Sequence, residues 1–442
     1  MLSEFPRSRR EFVKVAILGA GISGLSTACF LEKKGHSAEI FEGADGWGGL
    51  CGSETVDGYV ADKAGGHIIY STDREVLAFV LGVLGEGGAV ESRRETRIFH
   101  HGSWVTYPFE NGLADLPKEE GFQCLKGYVE ATFARRNGAA EPTDFHAWCA
   151  WRFGEGISRH FMWPYNEKIW NVDLRTLGTA WVRGRVPDAP IDDVLRAAMG
   201  IKTTGYAHQA KFWYPRTGGF QKIPDRIRES LTKTNIRLGT PCRKLRRTAA
   251  GWEVNGEHFE RVVSTIPLRA LAAVLDDVPS PIRDAFGGLG YTSLLTVFLA
   301  LRHDRIPKLS WVYFPHPENG PQNRITFLSN YSPENAPPGC SSVMAEVTYV
   351  GSLPGSPESI TNDVIAGLER CGILKREDVA WSRTYDNLYA YILYEHGLEA
   401  RLEQVRRYLS GIGLPIVGRF GNYDYYNSDR CIKAAMDLAA TF

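Results

Sequence analysis

The 442-residue sequence has no excess of charge of either sign, with 51 Lys and Arg against 51 Asp and Glu. No global field is therefore available to hold nucleic acid or an anionic membrane, and any anion must be held by local arginines or helix N-termini. No apolar run reaches the roughly 20 residues that a membrane span requires. The eight cysteines include no C-x-x-C pair and no metal-finger spacing. Neither a metal site nor a disulfide scaffold is expected, and the thiols read as reduced, mostly buried residues. The first residues, with Glu4 among Arg7, Arg9 and Arg10, lead straight into a strand and lack the pattern of a secretory leader. A solvated tail on a cytoplasmic protein is the expectation. Internal repeats and low-complexity linkers are also missing. What is present, 43% hydrophobic and 23% charged residues, is the composition of a folded protein. A prior of roughly 150 residues per domain suggests about three structural units.

The segment Val13 to Leu18 is a short β-branched run, followed at once by Gly19-Ala20-Gly21-Ile22-Ser23-Gly24. Leu25 to Lys33 has helical spacing and ends near Gly35, and Ser37 to Phe41 is a second short strand ending at Glu42. A G-x-G-x-x-G pattern alone is weak; following a strand, opening a helix and preceding an acidic strand end, it predicts a dinucleotide-binding βαβ unit. Gly19 permits the tight turn, Gly21 lets amides approach a pyrophosphate, and Gly24 allows close helix–strand packing. The helix N-terminus favours phosphate, and Glu42 can accept from a ribose diol. Leu116 to Arg136 is predicted helical, with Phe122, Leu125, Val129 and Phe133 as its apolar face, and Asp144 to Trp170 as further helix. Short strands are predicted at Lys211 to Tyr214, Trp252 to Val254, Arg261 to Thr265, Ser293 to Ala300 and Trp311 to Phe314, with a closing helix from Asn427 to Thr441.

The Gly48-Gly49 pair after Glu42 resembles the second glycine signature of the FAD-binding family that includes amine oxidases, phytoene desaturases and UDP-galactopyranose mutases. Ser264-Thr265-Ile266-Pro267 resembles that family's late contribution to the flavin domain, so FAD is the expected cofactor. Further stretches resemble UDP-galactopyranose mutase, its eukaryotic type especially. They are Gly65-Gly66-His67-Ile68-Ile69-Tyr70-Ser71, Tyr107-Pro108-Phe109-Glu110-Asn111, and Phe161 through Asn166 to Trp170. They continue with Trp181 through Arg185-Val186, Tyr313-Phe314-Pro315, Arg324 through Tyr331-Ser332-Pro333, and Gly418-Arg419-Phe420-Gly421. All are collinear with the family and span nearly the whole chain.

The resemblance implies an isomerase that interconverts pyranose and furanose forms of a nucleotide-diphosphate sugar. In that family the reduced flavin N5 attacks the anomeric carbon, forms a covalent flavin–sugar adduct, and is expelled by the returning diphosphate. FAD would be active when reduced, with NAD(P)H or another reductant as partner. The resemblance also assigns residues. Arg185 and Arg324 match pyrophosphate arginines, as planar forks suit phosphate, and Arg419 matches a third near the flavin. Arg94 aligns with an arginine near the flavin. Gly66 and His67 match the loop beside N5. Tyr313, Tyr331, Tyr389 and Tyr425 match phenolic donors to phosphate or sugar, and Tyr107, Phe161, Asn166 and Trp170 lie in substrate-side motifs. Each has a bland alternative: a solvated arginine, a packed strand tyrosine, an aromatic helix core.

Two positions depart from the family. Glu110 replaces the usual Gln of the base pocket. An ionised carboxylate only accepts, which suits guanine N1–H and N2–H₂ better than uracil, so GDP is expected over UDP unless Glu110 faces solvent. Gln209 replaces an Asn near the sugar. The alternative reading is an amine-oxidase-type or desaturase-type FAD oxidoreductase, which consumes an electron acceptor. A catalytically silent flavoprotein is a third.

The expected architecture is α/β. A Rossmann-type FAD domain is assembled from 1–95, 206–270 and 385–442, with a helical substrate domain at 96–205 and a twisted antiparallel sheet domain at 271–384. A loop near Gly200 to Tyr206 is expected to close over substrate. The sequence leaves the sugar and the oligomeric state open.

Overall fold

A computed structural model describes residues 13–182, 189–201, 203 and 210–442. The described chain forms two compact units, one from 13–49, 224–287 and 402–442, the other from 50–223 and 288–401. Against the expected boundaries, 50–95, 210–223 and 385–401 group with the helical and sheet segments, and 271–287 groups with the dinucleotide-binding segments. The reason is strand pairing: Ala89–Arg93 pairs with Lys211–Pro215, and Thr96–His100 joins the sheet beside Trp311–Tyr313.

The first unit is a Rossmann-type α/β layer. Its four-stranded parallel sheet runs in the order Arg261–Ser264, Lys14–Leu18, Ser37–Phe41, Thr234–Arg237. The central strand is an unbroken apolar run, with Val15, Ala16, Ile17 and Leu18 fully buried, because a parallel sheet is covered on both faces. Ile22–Lys33 is the crossover helix, and Ser428–Ala439 packs beside it. A three-stranded antiparallel sheet, Leu245–Thr248, Gly251–Val254 and Glu257–Phe259, completes the unit.

The second unit is built on a seven-stranded sheet in the order Val379–Ile392, Tyr291–Leu301, Ser341–Tyr349, Arg324–Thr326, Trp311–Tyr313, Thr96–His100, Ser103–Thr106. All neighbours are antiparallel except Trp311–Tyr313 with Thr96–His100. Because strand side chains alternate, one face carries Val312, Ile325, Ala345 and Val297 into a core with Ile360, Val364 and Leu368 of the helix Pro357–Arg370. The other face is left for the polar row described below.

The predicted helix at Leu116 to Arg136 spans Lys118–Arg136, but its buried face is not the expected one. Gly121, Cys124, Tyr128 and Thr132 are buried, whereas Phe122 and Phe133 are 56% and 55% exposed. Close backbone approach decides this: a side chain at Gly154 would strike the Gly127 backbone, and one at Gly156 would strike Cys124. The small residues must face the helix Phe145–Ile157, and the phenylalanines turn outward. A π-helical turn, Ser158–Met162, then separates Phe145–Ile157 from Trp163–Trp170.

Candidate functional site

In the first unit, Gly19 has φ +98°, a conformation that side chains rarely adopt. A side chain at Gly24 would run into the Gly19 carbonyl, while the space beyond Gly21 is open for 4 Å. The turn is thus tight where it must be and vacant where a pyrophosphate approaches a helix N-terminus. Glu42 braces it: one carboxylate oxygen accepts from Ala20 N–H at 2.6 Å and the other from Ala44 N–H at 2.9 Å. Each oxygen retains a further lone pair for a ribose hydroxyl. The second glycine pair packs on the first loop, with Gly48 N–H donating to Ala20 O at 2.9 Å and Gly49 close to Gly21. Thr265 Oγ1 donates to Leu18 O at 2.8 Å, which joins the Ser264–Pro267 turn to the same strand end. Gly418 sits against Ser23, with φ +105°, and Arg419 follows. The Arg419 guanidinium lies 4.3 Å from the Tyr425 ring centroid and donates to Tyr426 O at 2.8 Å. Gly19, Gly21, Gly24, Glu42, Gly48, Gly49, Arg419 and Tyr425 are therefore all found in this unit.

The second unit holds the remaining described candidates. Strand register sets Tyr313 opposite Arg324 and Arg324 opposite Glu346, one row across three strands. Arg324 donates from Nε at 2.9 Å and from Nη2 at 2.6 Å to Glu346 Oε1. Glu346 is 1% exposed and Arg324 22%. Burial alone would favour loss of the guanidinium proton, but Glu346, with Tyr391, Tyr313 and Tyr165, outweighs it and holds Arg324 above its ordinary range. The pair leaves the Nη1 side of the fork with no partner among the described residues.

Glu346 also accepts from Gly66 N–H at 3.2 Å. Side chains at Gly65 and Gly66 would meet Glu346 and Thr326 respectively, so both glycines allow this loop to lie on the sheet. His67 stacks on Phe220 at 5.0 Å. Beneath the loop, buried Asp62 accepts from Ser53 Oγ at 2.5 Å, Tyr214 OH at 2.9 Å and Phe220 N–H at 3.1 Å. Burial pushes its carboxyl up to about 6, against these donors and the His67 main chain.

A continuous aromatic wall adjoins the arginine. Phe109 stacks on Phe161 at 5.3 Å, Phe161 on Tyr165 at 5.3 Å, Tyr165 meets Tyr313 edge-on at 5.2 Å, and Tyr313 tilts against Tyr107 at 5.2 Å. Burial and Tyr313 hold the Tyr107 phenol protonated, against the opposing effect of Arg94. Arg94 lies over the Tyr107 ring at 5.3 Å, among the substrate-side candidates. Glu110, next to Phe109, is 5% exposed, which removes the solvent-facing alternative.

Other candidates stand elsewhere in the second unit. Asn166 donates to Met162 O at 2.7 Å and accepts from Trp170 Nε1 at 3.1 Å, so the two lock the helix Trp163–Trp170. Tyr331 is 1% exposed between Phe212 and Tyr214, and burial raises its phenol. Tyr389 packs on Tyr291 at 4.5 Å, whereas its neighbour Tyr391 is among the tyrosines that act on Arg324. Arg185, Gln209 and most of the Gly200 to Tyr206 loop lie outside the described residues.

Sequence reading missed Glu346 and Lys168. Glu346 had a signal, a lone carboxylate inside the nine-residue buried strand Ser341–Tyr349. Lys168 donates to Phe314 O at 3.0 Å and His316 O at 3.2 Å, and burial lowers its ammonium to about 7.

Comparison with known proteins follows this geometry. The family model described as flavin containing amine oxidoreductase matches residues 88–387, and that of an NAD(P)-binding Rossmann-like domain matches 17–80. The crystal structure of reduced UDP-galactopyranose mutase is similar over 97% of this chain and 94% of that one, with 27% identity and a TM-score of 0.88. A protein from Exiguobacterium sp. 255-15 named after protoporphyrinogen oxidase shares the fold, with 18% identity over 98% of both chains and a TM-score of 0.76. So does a CLA-producing fatty acid isomerase from P. acnes, with 15% identity over 97% of this chain and 98% of that one and a TM-score of 0.66. A curated protein from the nifH2 3' region of Methanothermococcus thermolithotrophicus is 48% identical over 50 residues, 11% of this chain. The chain spans about half the length of that relative, 48%.

Proposed function

We propose, for a chain that belongs to the flavin containing amine oxidoreductase family, that it is a nucleotide-sugar mutase interconverting the pyranose and furanose forms of an NDP-hexose. FAD is its cofactor, and the chain is a flavoenzyme similar to UDP-galactopyranose mutase. The open space at Gly21, the tight Gly19–Gly24 turn and the brace by Glu42 fit the pyrophosphate and ribose of FAD. Bound and reduced, FAD would supply the nucleophile that detaches the sugar from the diphosphate.

The observation that carries the reading is the fixed charge of Arg324. A guanidinium locked by Glu346, with its Nη1 side unpartnered among described residues, is a preset donor for phosphate oxygens. Amine or hydrocarbon substrates make no use of such a group. Orientation before binding is what stabilises charge developing on a departing diphosphate, because no reorganisation is then needed during the reaction. Tyr313 stays beside the arginine by register, and the aromatic wall supplies faces for a base to stack on. His67 and Gly66 belong to the loop whose main chain bonds to Asp62 and Glu346, and in this reading the loop serves as a conformational gate rather than His67 as an acid or base.

The base is proposed to be guanine. A buried carboxylate at Glu110 accepts from N1–H and N2–H₂ together, and uracil offers no such pair of donors. The test is an anaerobic titration of the dithionite-reduced protein with GDP and UDP, followed by turnover of the matching NDP-hexoses. Tighter GDP binding that reverses or vanishes in Glu110→Gln supports the assignment. An unchanged GDP/UDP preference in that variant rejects it. Turnover that needs flavin reduction once, with no acceptor consumed, supports the mutase; stoichiometric consumption of oxygen or another acceptor supports the oxidoreductase alternative instead.

A further inference from the structure

Five side chains of the second unit gather in a cluster, joined by two hydrogen bonds at His100 and by ring contacts, that none of the preceding chemistry uses. His100 ends the strand Thr96–His100, Glu120 lies in the first turn of Lys118–Arg136, and His160 is in the π-helical turn Ser158–Met162. His101 and His316 lie alongside. His100 Nε2 is 3.2 Å from Glu120 Oε2, and His160 Nδ1 is 3.9 Å from the same oxygen. The ligand atoms of the three residues all lie within 4.8 Å of one another. We propose that His100, Glu120 and His160 bind a divalent transition-metal ion of the zinc type.

The spacing is close to that of a metal site, and a small inward shift of His160 would complete it. Metal–nitrogen and metal–oxygen bonds of about 2.0–2.2 Å in a tetrahedral arrangement separate ligand atoms by about 3.3–3.6 Å, and the two measured edges bracket that value. The rings of His100 and His160 stand at 78°, so they approach from different directions and do not compete for one face. Two imidazoles and one carboxylate favour zinc, cobalt or nickel over the all-oxygen preference of calcium or magnesium.

An outer support is present as well. His316 Nε2 lies 2.7 Å from His100 Nδ1, so with His100 Nε2 on the metal, Nδ1–H donates to His316. This is the arrangement that fixes tautomer and ring orientation at metal-bound histidines. The neighbouring trio His100, His101 and His316 is also close enough in distance. Its rings His101 and His316 stack at 4.1 Å and 15°, however, which leaves their in-plane lone pairs parallel instead of convergent.

His100 is buried, while Glu120 and His160 are partly open, so an ion has access to the site and a coordination position toward water. The ion would tie together three segments distant in sequence. Two of them reach the aromatic wall: His100 meets Phe109 edge-on at 5.6 Å, and His160 precedes Phe161, which stacks on Phe109. The wall beside Glu110 would be braced from behind.

The FAD-loaded protein is stripped with chelator and titrated with Co2+ and with Zn2+ alone. One Co2+ per chain with the ligand-field bands of a four- or five-coordinate nitrogen–oxygen site is expected, together with a zinc-dependent rise in melting temperature. Both signals are expected to be lost in His160→Ala and in Glu120→Gln and kept in His303→Ala, whose side chain pairs with Asp378 outside the cluster. Flavin content and circular dichroism establish that each variant is folded, and His160→Gln replaces His160→Ala if the latter is not. Substoichiometric binding, or binding that survives the His160 and Glu120 variants, would overturn the proposal. So would loss in His101→Ala with retention in His160→Ala, which would give the ion to the stacked trio.

Discussion

Replacing Glu346 with Gln tests the central physical claim, that one buried carboxylate sets both the charge and the direction of Arg324. The substitution keeps the volume and removes the ion. Glu346 Oε1 accepts two guanidinium N–H bonds, at 2.9 and 2.6 Å, and the Gly66 amide at 3.2 Å. Opposite charges about 4 Å apart interact by about 4 kcal/mol at an effective dielectric of about 20. Removing one partner of a buried pair costs about 3–5 kcal/mol, because the other charge stays behind uncompensated. Glutamine retains one acceptor, so the loss in unfolding free energy is expected at the lower end, about 3 kcal/mol. Urea unfolding of Glu346→Gln, Arg324→Met and the double variant measures it. The double variant is expected to be more stable than the sum of the two losses predicts, with a coupling of about 2–3 kcal/mol. Coupling below about 0.5 kcal/mol would refute the argument, since the groups would then act independently despite their geometry.

The same chain of reasoning yields further expectations. Gly24→Ala drives a methyl group into the Gly19 carbonyl and should abolish flavin retention and lower stability, whereas Gly21→Ala enters open space and should lose flavin while the stability of the apoprotein is kept. The ratio of flavin to protein absorbance and apoprotein melting separate the two. Asp62 makes stability pH-dependent in a defined direction. Its folded carboxyl sits at about 6, above an unfolded value near 4, so the folded state binds more protons in between and stability falls as pH rises through that window. A shift of about 2 units corresponds to about 3 kcal/mol, and Asp62→Asn should flatten the profile between about pH 4 and 6. An unaltered pH profile in that variant would count against the ionisation of Asp62 as the cause.

Much of the dinucleotide half was legible because its signals are local. The Gly19-Ala20-Gly21-Ile22-Ser23-Gly24 turn, the apolar strand before it and Glu42 after it are short-range consequences of one βαβ unit, and they fold as read. The aromatic motif at Phe161–Trp170 was likewise found, yet its roles were divided only in three dimensions. Phe161 joined the stacked wall, while Asn166 and Trp170 bonded to each other. The outward turn of Phe122 and Phe133 could not be read from spacing, because a glycine-lined helix contact reversed the usual preference for large apolar residues inside.

By itself, the sequence determined the glycine turn, the strand and helix that flank it and the acidic residue that follows, and its resemblance to FAD-binding proteins pointed to the cofactor class. These depend on backbone sterics and residue type, which travel with the local chain. Tertiary structure alone decided that Glu346 would orient Arg324, that Glu110 would be buried, and that His100, Glu120 and His160 would converge. Each of these joins segments far apart in sequence through sheet register and helix packing, and no periodicity or spacing encodes such a meeting.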